Sequence, residues 1–134
     1  MSGVEVGKPR ILVIEDEAMI RLDLVDSLQH LGFEVIAAFS LGDAHRHLAD
    51  GAADFSAIVT DIGLPDGRGD AFAVQIRAQR PDVPVILATG YAVAELREQF
   101  RSDPKVAVVT KPYSAEQIVA NLRKLGMRDL SSRA

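Results

Sequence analysis

Five short apolar runs, each followed by a segment of helical periodicity, predict a doubly wound α/β domain for this chain of 134 residues. The runs are rich in β-branched residues and mostly continuous in apolar character, as strands covered on both faces of a parallel sheet must be. Hydrophobic residues make up 48% and charged residues 25%. That balance builds a core of ordinary size and excludes a disordered chain.

The first run, Ile11–Ile14, ends in Glu15-Asp16-Glu17. Ile20, Leu24, Leu28 and Leu31 then form one helical stripe, with Gly32 as its stop signal. The second run is Phe33–Phe39. Ser40 offers a cap for the next helix, Ala44 and Leu48 face the sheet, and Gly51 ends it. The third run, Phe55–Thr60, leads into a helix that begins near Gly69, buries Phe72, Ala73 and Ile76, and stops before Pro81. The fourth, Val83–Ala88, precedes a thin helix from about Ala92 to Phe100. Only Leu96 and Phe100 are large inward residues there, so a loosely held segment from Gly90 to Asp103 is expected. The fifth, Val106–Thr110, precedes a helix that opens with Ser114 and Gln117 in capping-box spacing and turns Ile118, Leu122 and Leu125 inward. Residues 1–8 and 126–134 read as tails around one domain over residues 9–125, the second tail being too short for an output domain.

A formal net charge of −4 argues against a nucleic-acid surface spread over the domain. With no cysteine, disulfides, thiolate metal sites and cysteine nucleophiles are excluded. Met1 to Pro9 carries no signal-peptide apolar stretch, and no segment approaches the ~18 apolar residues that span a bilayer. A soluble cytoplasmic protein is expected. His45 and His47 sit about 200° apart around a helix and cannot share one ion, and His30 stands alone, so the histidines read as solvated.

In open parallel sheets, ligands bind beyond the carboxyl ends of the strands. Polar residues concentrate there: Glu15-Asp16-Glu17, Thr60-Asp61, Thr89-Gly90 and Thr110-Lys111-Pro112 follow four separate runs. Three neighbouring carboxylates repel unless a hard divalent cation compensates, and Mg²⁺ takes such oxygen ligands. A lysine adds a second positive charge. Metal, ammonium and hydroxyl together suit a phosphoryl group, and one carboxylate can act as nucleophile.

The order of these motifs resembles the response regulator receiver domains of two-component systems. Glu15-Asp16 resembles the family's acidic pair, Thr60-Asp61-Ile62-Gly63-Leu64-Pro65-Asp66-Gly67 its phosphoacceptor strand and loop, Ala88-Thr89-Gly90 its switch-hydroxyl site, and Lys111-Pro112 its lysine and adjoining proline. The resemblance covers about residues 9–125. It implies a flavodoxin-like (βα)5 fold with strand order 2-1-3-4-5, and a signalling switch rather than an enzyme with a separate substrate. By it, Asp61 accepts the phosphoryl group, and Asp16 and Asp61 bind Mg²⁺ directly. Glu15 reaches the metal through water and the Gly63 carbonyl is a further ligand, while Glu17 is solvated charge. Thr89 and Lys111 hold phosphoryl oxygens, and the peptide before Pro112 is cis. The donor is a histidine kinase or a phosphotransfer protein. A downstream protein partner, or a second copy of the chain, meets the surface of strands four and five with their helices; no nucleic acid or membrane is contacted directly.

Two departures stand out. Many relatives carry an aromatic three residues before the lysine, where this chain has Val108, and Tyr91 is a candidate for part of that role; Tyr113 reads as packing. Leu87-Ala88-Thr89-Gly90-Tyr91 partly resembles the Phe-Ala-Thr-Gly-X-Tyr receivers linked to HWE-type histidine kinases. Two other classes fit less well. An Asp-nucleophile phosphohydrolase would place its nucleophile after the first run, with a second acid two residues on. A flavin-binding module would need Ser, Thr and Gly after the first run, where Glu15-Asp16-Glu17 would repel the flavin phosphate.

Overall fold

A computed structural model describes residues 8–49 and 55–127. The order of elements is β1 (Arg10–Ile14), α1 (Ala18–His30), β2 (Glu34–Ala38), α2 (Leu41–Ala49), β3 (Ala57–Asp61), β4 (Gly63–Leu64), β5 (Gly67–Arg68), α3 (Gly69–Gln79), β6 (Val85–Thr89), α4 (Val93–Gln99), β7 (Val106–Thr110) and α5 (Ala115–Lys124). Five strands form one parallel sheet in the order β2-β1-β3-β6-β7, and β4 and β5 pair as a separate antiparallel hairpin. Setting the hairpin aside, this is the 2-1-3-4-5 order of the flavodoxin-like fold.

Alternation along the strands divides the interior into two cores. Ile11, Val13, Val59 and Ile86 pack with Leu24 and Leu28 of α1 and with Ile118 and Leu122 of α5. Leu12, Ile14, Ile58 and Leu87 pack on the other face with Ala44, Leu48, Phe72, Ile76, Leu96 and Phe100 of α2, α3 and α4. Each central strand is buried on both sides, which explains why its run is continuously apolar.

The strand ends differ from the apolar runs by one or two residues. Phe33 is buried but precedes β2, and Phe39 follows it 55% exposed. Phe33 belongs instead to the end of α1. Gly32 has φ +99°, its N–H donates to the Gln29 carbonyl, and the Phe33 N–H donates to the Leu28 carbonyl. This reversal places Phe33 on Leu28 and leaves Leu31, expected in the inner stripe, exposed. α5 ends the same way: Gly126 has φ +98°, the Met127 N–H reaches the Leu122 carbonyl, and Met127 is buried. Ordered packing thus continues past Leu125. The Ser114–Gln117 capping box is present with both bonds. The Ser40 hydroxyl caps α2 by accepting the Asp43 N–H at 3.1 Å, whereas Gly51 lies outside the described residues. Among the described residues, no helix is long and apolar enough to cross a membrane.

Leu28 is fully buried, carries the α1 stripe and receives the reversed chain at Phe33. Leu28→Ala should cost about 2–5 kcal/mol in denaturant unfolding. Leu22→Ala, on the same helix but 62% exposed, should stay within about 0.5 kcal/mol of the parent.

Candidate functional site

Backbone ladders bring the polar strand ends together. The β1–β2 ladder extends through the Glu15 N–H to the Ala38 carbonyl, the β3–β6 ladder through the Ile62 N–H to the Ala88 carbonyl, and the β6–β7 ladder through the Lys111 N–H to the Thr89 carbonyl. Glu15, Asp61, Thr89 and Lys111 therefore stand at one edge of the sheet, each at the end of a rigid, doubly packed strand.

Carboxylate oxygens of Glu15, Asp16 and Asp61 all lie within 4.8 Å of one another. Glu15 is buried, Asp61 half-buried and Asp16 exposed. The Lys111 ammonium reaches into this group, with Nζ 2.9 Å from Asp61 Oδ1 and 3.5 Å from Glu15 Oε1. Asp61 Oδ1 also accepts the Ile62 N–H at 3.0 Å, and Glu15 Oε2 accepts the Glu17 N–H at 3.0 Å. The exposed Glu17 contributes this backbone bond and sits at the start of α1, so it lies outside the acid cluster. The Lys111–Pro112 peptide is cis.

Electrostatics follow from the crowding. Burial pushes the Glu15 carboxyl above its ordinary value and the Asp61 charge adds to this, against the opposing Glu17 N–H and Lys111. Burial alone would lower the Lys111 ammonium; its hydrogen bond to Asp61 and the charges of Glu15 and Asp61 outweigh that and hold it high. Tyr113, half-buried beside the site, is raised by burial first and then by the Glu15 and Asp61 charges. Glu15 Oε1 is buried, with the Lys111 ammonium at ion-pair distance and no closer hydrogen-bond donor. A buried carboxylate that shares one lysine with Asp61 and lies within 4.8 Å of two further acids fits an oxygen-seeking divalent cation.

Thr89 is buried, but its hydroxyl is engaged locally. It donates to the Tyr91 carbonyl at 2.6 Å and accepts the Tyr91 N–H at 3.2 Å. The sheet thus places Thr89 beside the cluster without a bond to Asp61. Gly63 is exposed at the start of β4. Val108 is buried, and its carbonyl accepts Arg97 Nη2 of α4 at 3.2 Å. Tyr91 is 72% exposed, on the loop between β6 and α4. His30 and His45 are exposed and His47 half-buried; His45 sets its ring edge-on to Phe72.

Two residues passed over in the sequence help to build the site. Arg21, on α1, donates Nη1 to the Glu15 carbonyl at 2.9 Å and to the Asp16 carbonyl at 3.4 Å. It ties the acidic turn to the helix that follows. A cation one helical turn beyond a run of three acids was the available signal. Gly69 opens α3 against the phosphoacceptor strand: a Cβ there would lie 2.0 Å from the Asp61 carbonyl oxygen. Its N–H donates to the Ile62 carbonyl at 2.8 Å. No local pattern announces so close an approach between distant backbones.

Residues 11–123 match the family model of the response regulator receiver domain. The C4-dicarboxylate transport transcriptional regulatory protein DctD of Rhizobium meliloti is 32% identical over 117 residues, covering 87% of this chain and 25% of that protein. The first curated relatives are long: the chain spans between 13% and 53% of their length. Among solved structures, the non-phosphorylated HemR receiver domain of Leptospira biflexa superposes with a TM-score of 0.78 at 26% identity, over 90% of this chain and 97% of that one. The response regulator TrrA of Thermotoga maritima, solved in complex with Mg²⁺-BeF, gives 0.69 at 28% identity, over 87% and 98%.

Protonation of Glu15 removes a negative charge that favours a cation in the cluster, and its pKa is raised above 4.5. Mg²⁺ affinity should therefore fall as pH drops from neutral toward 4.5, measured by calorimetric titration. For the metal-free domain the sign reverses for this group. Its raised folded pKa makes ionisation costly, so Glu15 contributes stability on acidification, present below 4.5 and lost as pH rises through the folded value. Gly69→Ala must push α3 away from Asp61. It should lower stability by about 1–3 kcal/mol and reduce Mg²⁺ affinity, although residue 69 offers no ligand.

Proposed function

This chain belongs to the response regulator receiver domain family, and from that premise we propose the roles its own residues play in accepting a phosphoryl group. Receiver domains are Mg²⁺-dependent phosphoacceptors of two-component signalling, switches rather than enzymes, and they are served by histidine kinases. One observation carries the assignment to these residues. Lys111 Nζ stands 2.9 Å from Asp61 Oδ1, against a group of three carboxylates whose oxygens lie within 4.8 Å of one another.

Asp61 is the nucleophile. Lys111 and the Ile62 N–H both engage Oδ1, which leaves Oδ2 to attack phosphorus. The new P–O bond forms as the P–N bond of a phosphohistidine breaks, and the released imidazole takes a proton. Asp16, Asp61 and the Gly63 carbonyl would hold Mg²⁺, with Glu15 joining through water. The bound ion supplies charge neutralisation for the phosphoryl oxygens. Lys111 passes its ion pair from Asp61 to a phosphoryl oxygen. The Thr89 hydroxyl leaves the Tyr91 carbonyl to donate to another.

The acyl phosphate adds roughly −1 to −2 charge at the sheet edge. Thr89 is the last residue of β6 and is bonded to the loop before α4. Its movement therefore pulls on that loop, and the face built from β6, α4, β7 and α5 changes shape. A downstream protein, or a second copy of the chain, reads that face. With Val108 carrying no ring, the coupling runs through the Thr89–Tyr91 turn and through the bond from Arg97 to the Val108 carbonyl. The string Leu87-Ala88-Thr89-Gly90-Tyr91 supports an HWE-type kinase as the donor, and that chemistry goes with a cytoplasmic location.

Incubation with acetyl phosphate and Mg²⁺ followed by intact mass should show one added phosphoryl group. Chelation of Mg²⁺ or Asp61→Asn should abolish it. Thr89→Ala and Lys111→Met should each slow the reaction by roughly 10²-fold. A wild type left unmodified by several phosphodonors would overturn the assignment.

A further inference from the structure

We propose that Asp66 is a positioning residue for the metal site: it accepts the backbone N–H groups of Leu41 and Gly42 at the start of α2, and so holds the Gly63–Arg68 hairpin where the Gly63 carbonyl can join Glu15, Asp16 and Asp61 around one cation. This rests on the assignment of Gly63 as a metal ligand made above.

Gly63 does not lie on the five-stranded sheet. It opens a ribbon of only two residue pairs, Gly63↔Arg68 and Leu64↔Gly67, with Pro65 and Asp66 at the tip. An isolated ribbon is marginal in water even at ordinary length, so what grips its two ends decides where it sits. The base is gripped by the Gly69 N–H on the Ile62 carbonyl and by the close approach of Gly69 to Asp61. The tip is gripped by Asp66. Its Oδ1 accepts the Leu41 N–H and its Oδ2 the Gly42 N–H, each at 2.9 Å.

These donors belong to the first turn of α2, where backbone N–H groups have no acceptor within the helix. A carboxylate is also favoured there by the helix dipole. The bond from Gly42, then that from Leu41, keeps the Asp66 carboxyl below its ordinary range. Gly67 presses the same tip against the same turn, since a Cβ on it would lie 2.8 Å from Leu41 Cδ1. Asp66 itself is not among the three acids of the cluster.

A simple helix-capping role would be partly redundant. Ser40 already caps the same turn through the Asp43 N–H. Without Asp66, α2 keeps that cap, while the hairpin loses its anchor at the end nearer α2. Both Asp66 bonds are exposed to water, so their removal should act more on position than on global stability.

The test compares the wild type with Asp66→Ala, Asp66→Asn and Ser40→Ala. Mg²⁺ binding is followed by calorimetry, and the initial rate with acetyl phosphate is followed across a Mg²⁺ series. Asp66→Ala should raise the half-saturating Mg²⁺ concentration by roughly tenfold in both measurements. Its rate at saturating Mg²⁺ should stay near that of the wild type. Asp66→Asn keeps one acceptor and should fall between. Ser40→Ala should lower the Tm without moving Mg²⁺ half-saturation. The proposal is overturned if Asp66→Ala takes up Mg²⁺ like the wild type, or if Ser40→Ala shifts it as much. Should Asp66→Ala not fold, Asp66→Asn against Ser40→Ala decides by the same criterion. A wild type that neither binds Mg²⁺ nor accepts a phosphoryl group would instead sink the reading of the site on which this one rests.

Discussion

Repulsion among Glu15, Asp16 and Asp61 is the constraint around which this molecule is arranged. Two full charges at the 4.8 Å limit of the cluster oppose each other by about 3 kcal/mol at an effective dielectric of ~20. That is a sizeable share of the ~5–15 kcal/mol that holds a domain together. The acids can be kept close only by a scaffold that cannot relax apart and by positive charge brought to them. The scaffold is the parallel sheet, whose β1 and β3 are buried on both faces by two separate cores. The fixed positive charge is Lys111, delivered from the end of β7. One ammonium against three carboxylates leaves net negative charge in the cluster, and that is the electrostatic reason for a divalent cation.

Burial gives the site its specificity as well as its cost. The Glu15 charge is removed from water and held by a backbone N–H and an ammonium at 3.5 Å, so it responds strongly to any added charge nearby. The exposed Asp16 gives a cation an open side from which to enter. Arg21 fixes the carbonyls of the acidic turn rather than the carboxylates. A guanidinium placed on the carboxylates themselves would compete with the metal; on the carbonyls, it locks the turn and leaves the oxygens free.

The strands of the sheet and the acid–hydroxyl–lysine grouping were legible in the sequence for a physical reason. A doubly covered strand has to be a continuous apolar run, and its ligands have to follow it directly. Such features are local in sequence and so can be read. Contacts between segments far apart, which meet only once the chain is folded, could not be read. Gly69 looked like a helix start, and only the folded chain shows its Cα against the Asp61 carbonyl. Asp66 looked like a turn residue, and its partners lie 24 and 25 positions away. Leu31 fitted the α1 stripe by spacing, but the left-handed Gly32 turns the chain before it can be covered. The family's strand order came from resemblance, because periodicity says which segments are strands and not which are neighbours.

The elements proposed to switch are among the least tied to the core. Thr89 spends its hydroxyl on the Tyr91 backbone in a bond to the adjacent loop rather than to the core. Three residues after Thr89, Ala92 adopts φ 59°, a left-handed conformation that costs a non-glycine residue roughly 1 kcal/mol. α4 then runs only seven residues, with no side-chain cap at its start, and is pinned by Leu96, Phe100 and the bond from Arg97 to Val108. In the proposed switch, a charge that recruits the Thr89 hydroxyl would break its bond to the Tyr91 carbonyl, in the loop that leads to Ala92. The one left-handed non-glycine among the described residues thus lies in the segment proposed to move, while the strands that carry Asp61 and Lys111 are packed into the sheet's two cores. Under the proposed function, that division would let a modification at the sheet edge alter the α4 surface without loosening the carboxylate cluster.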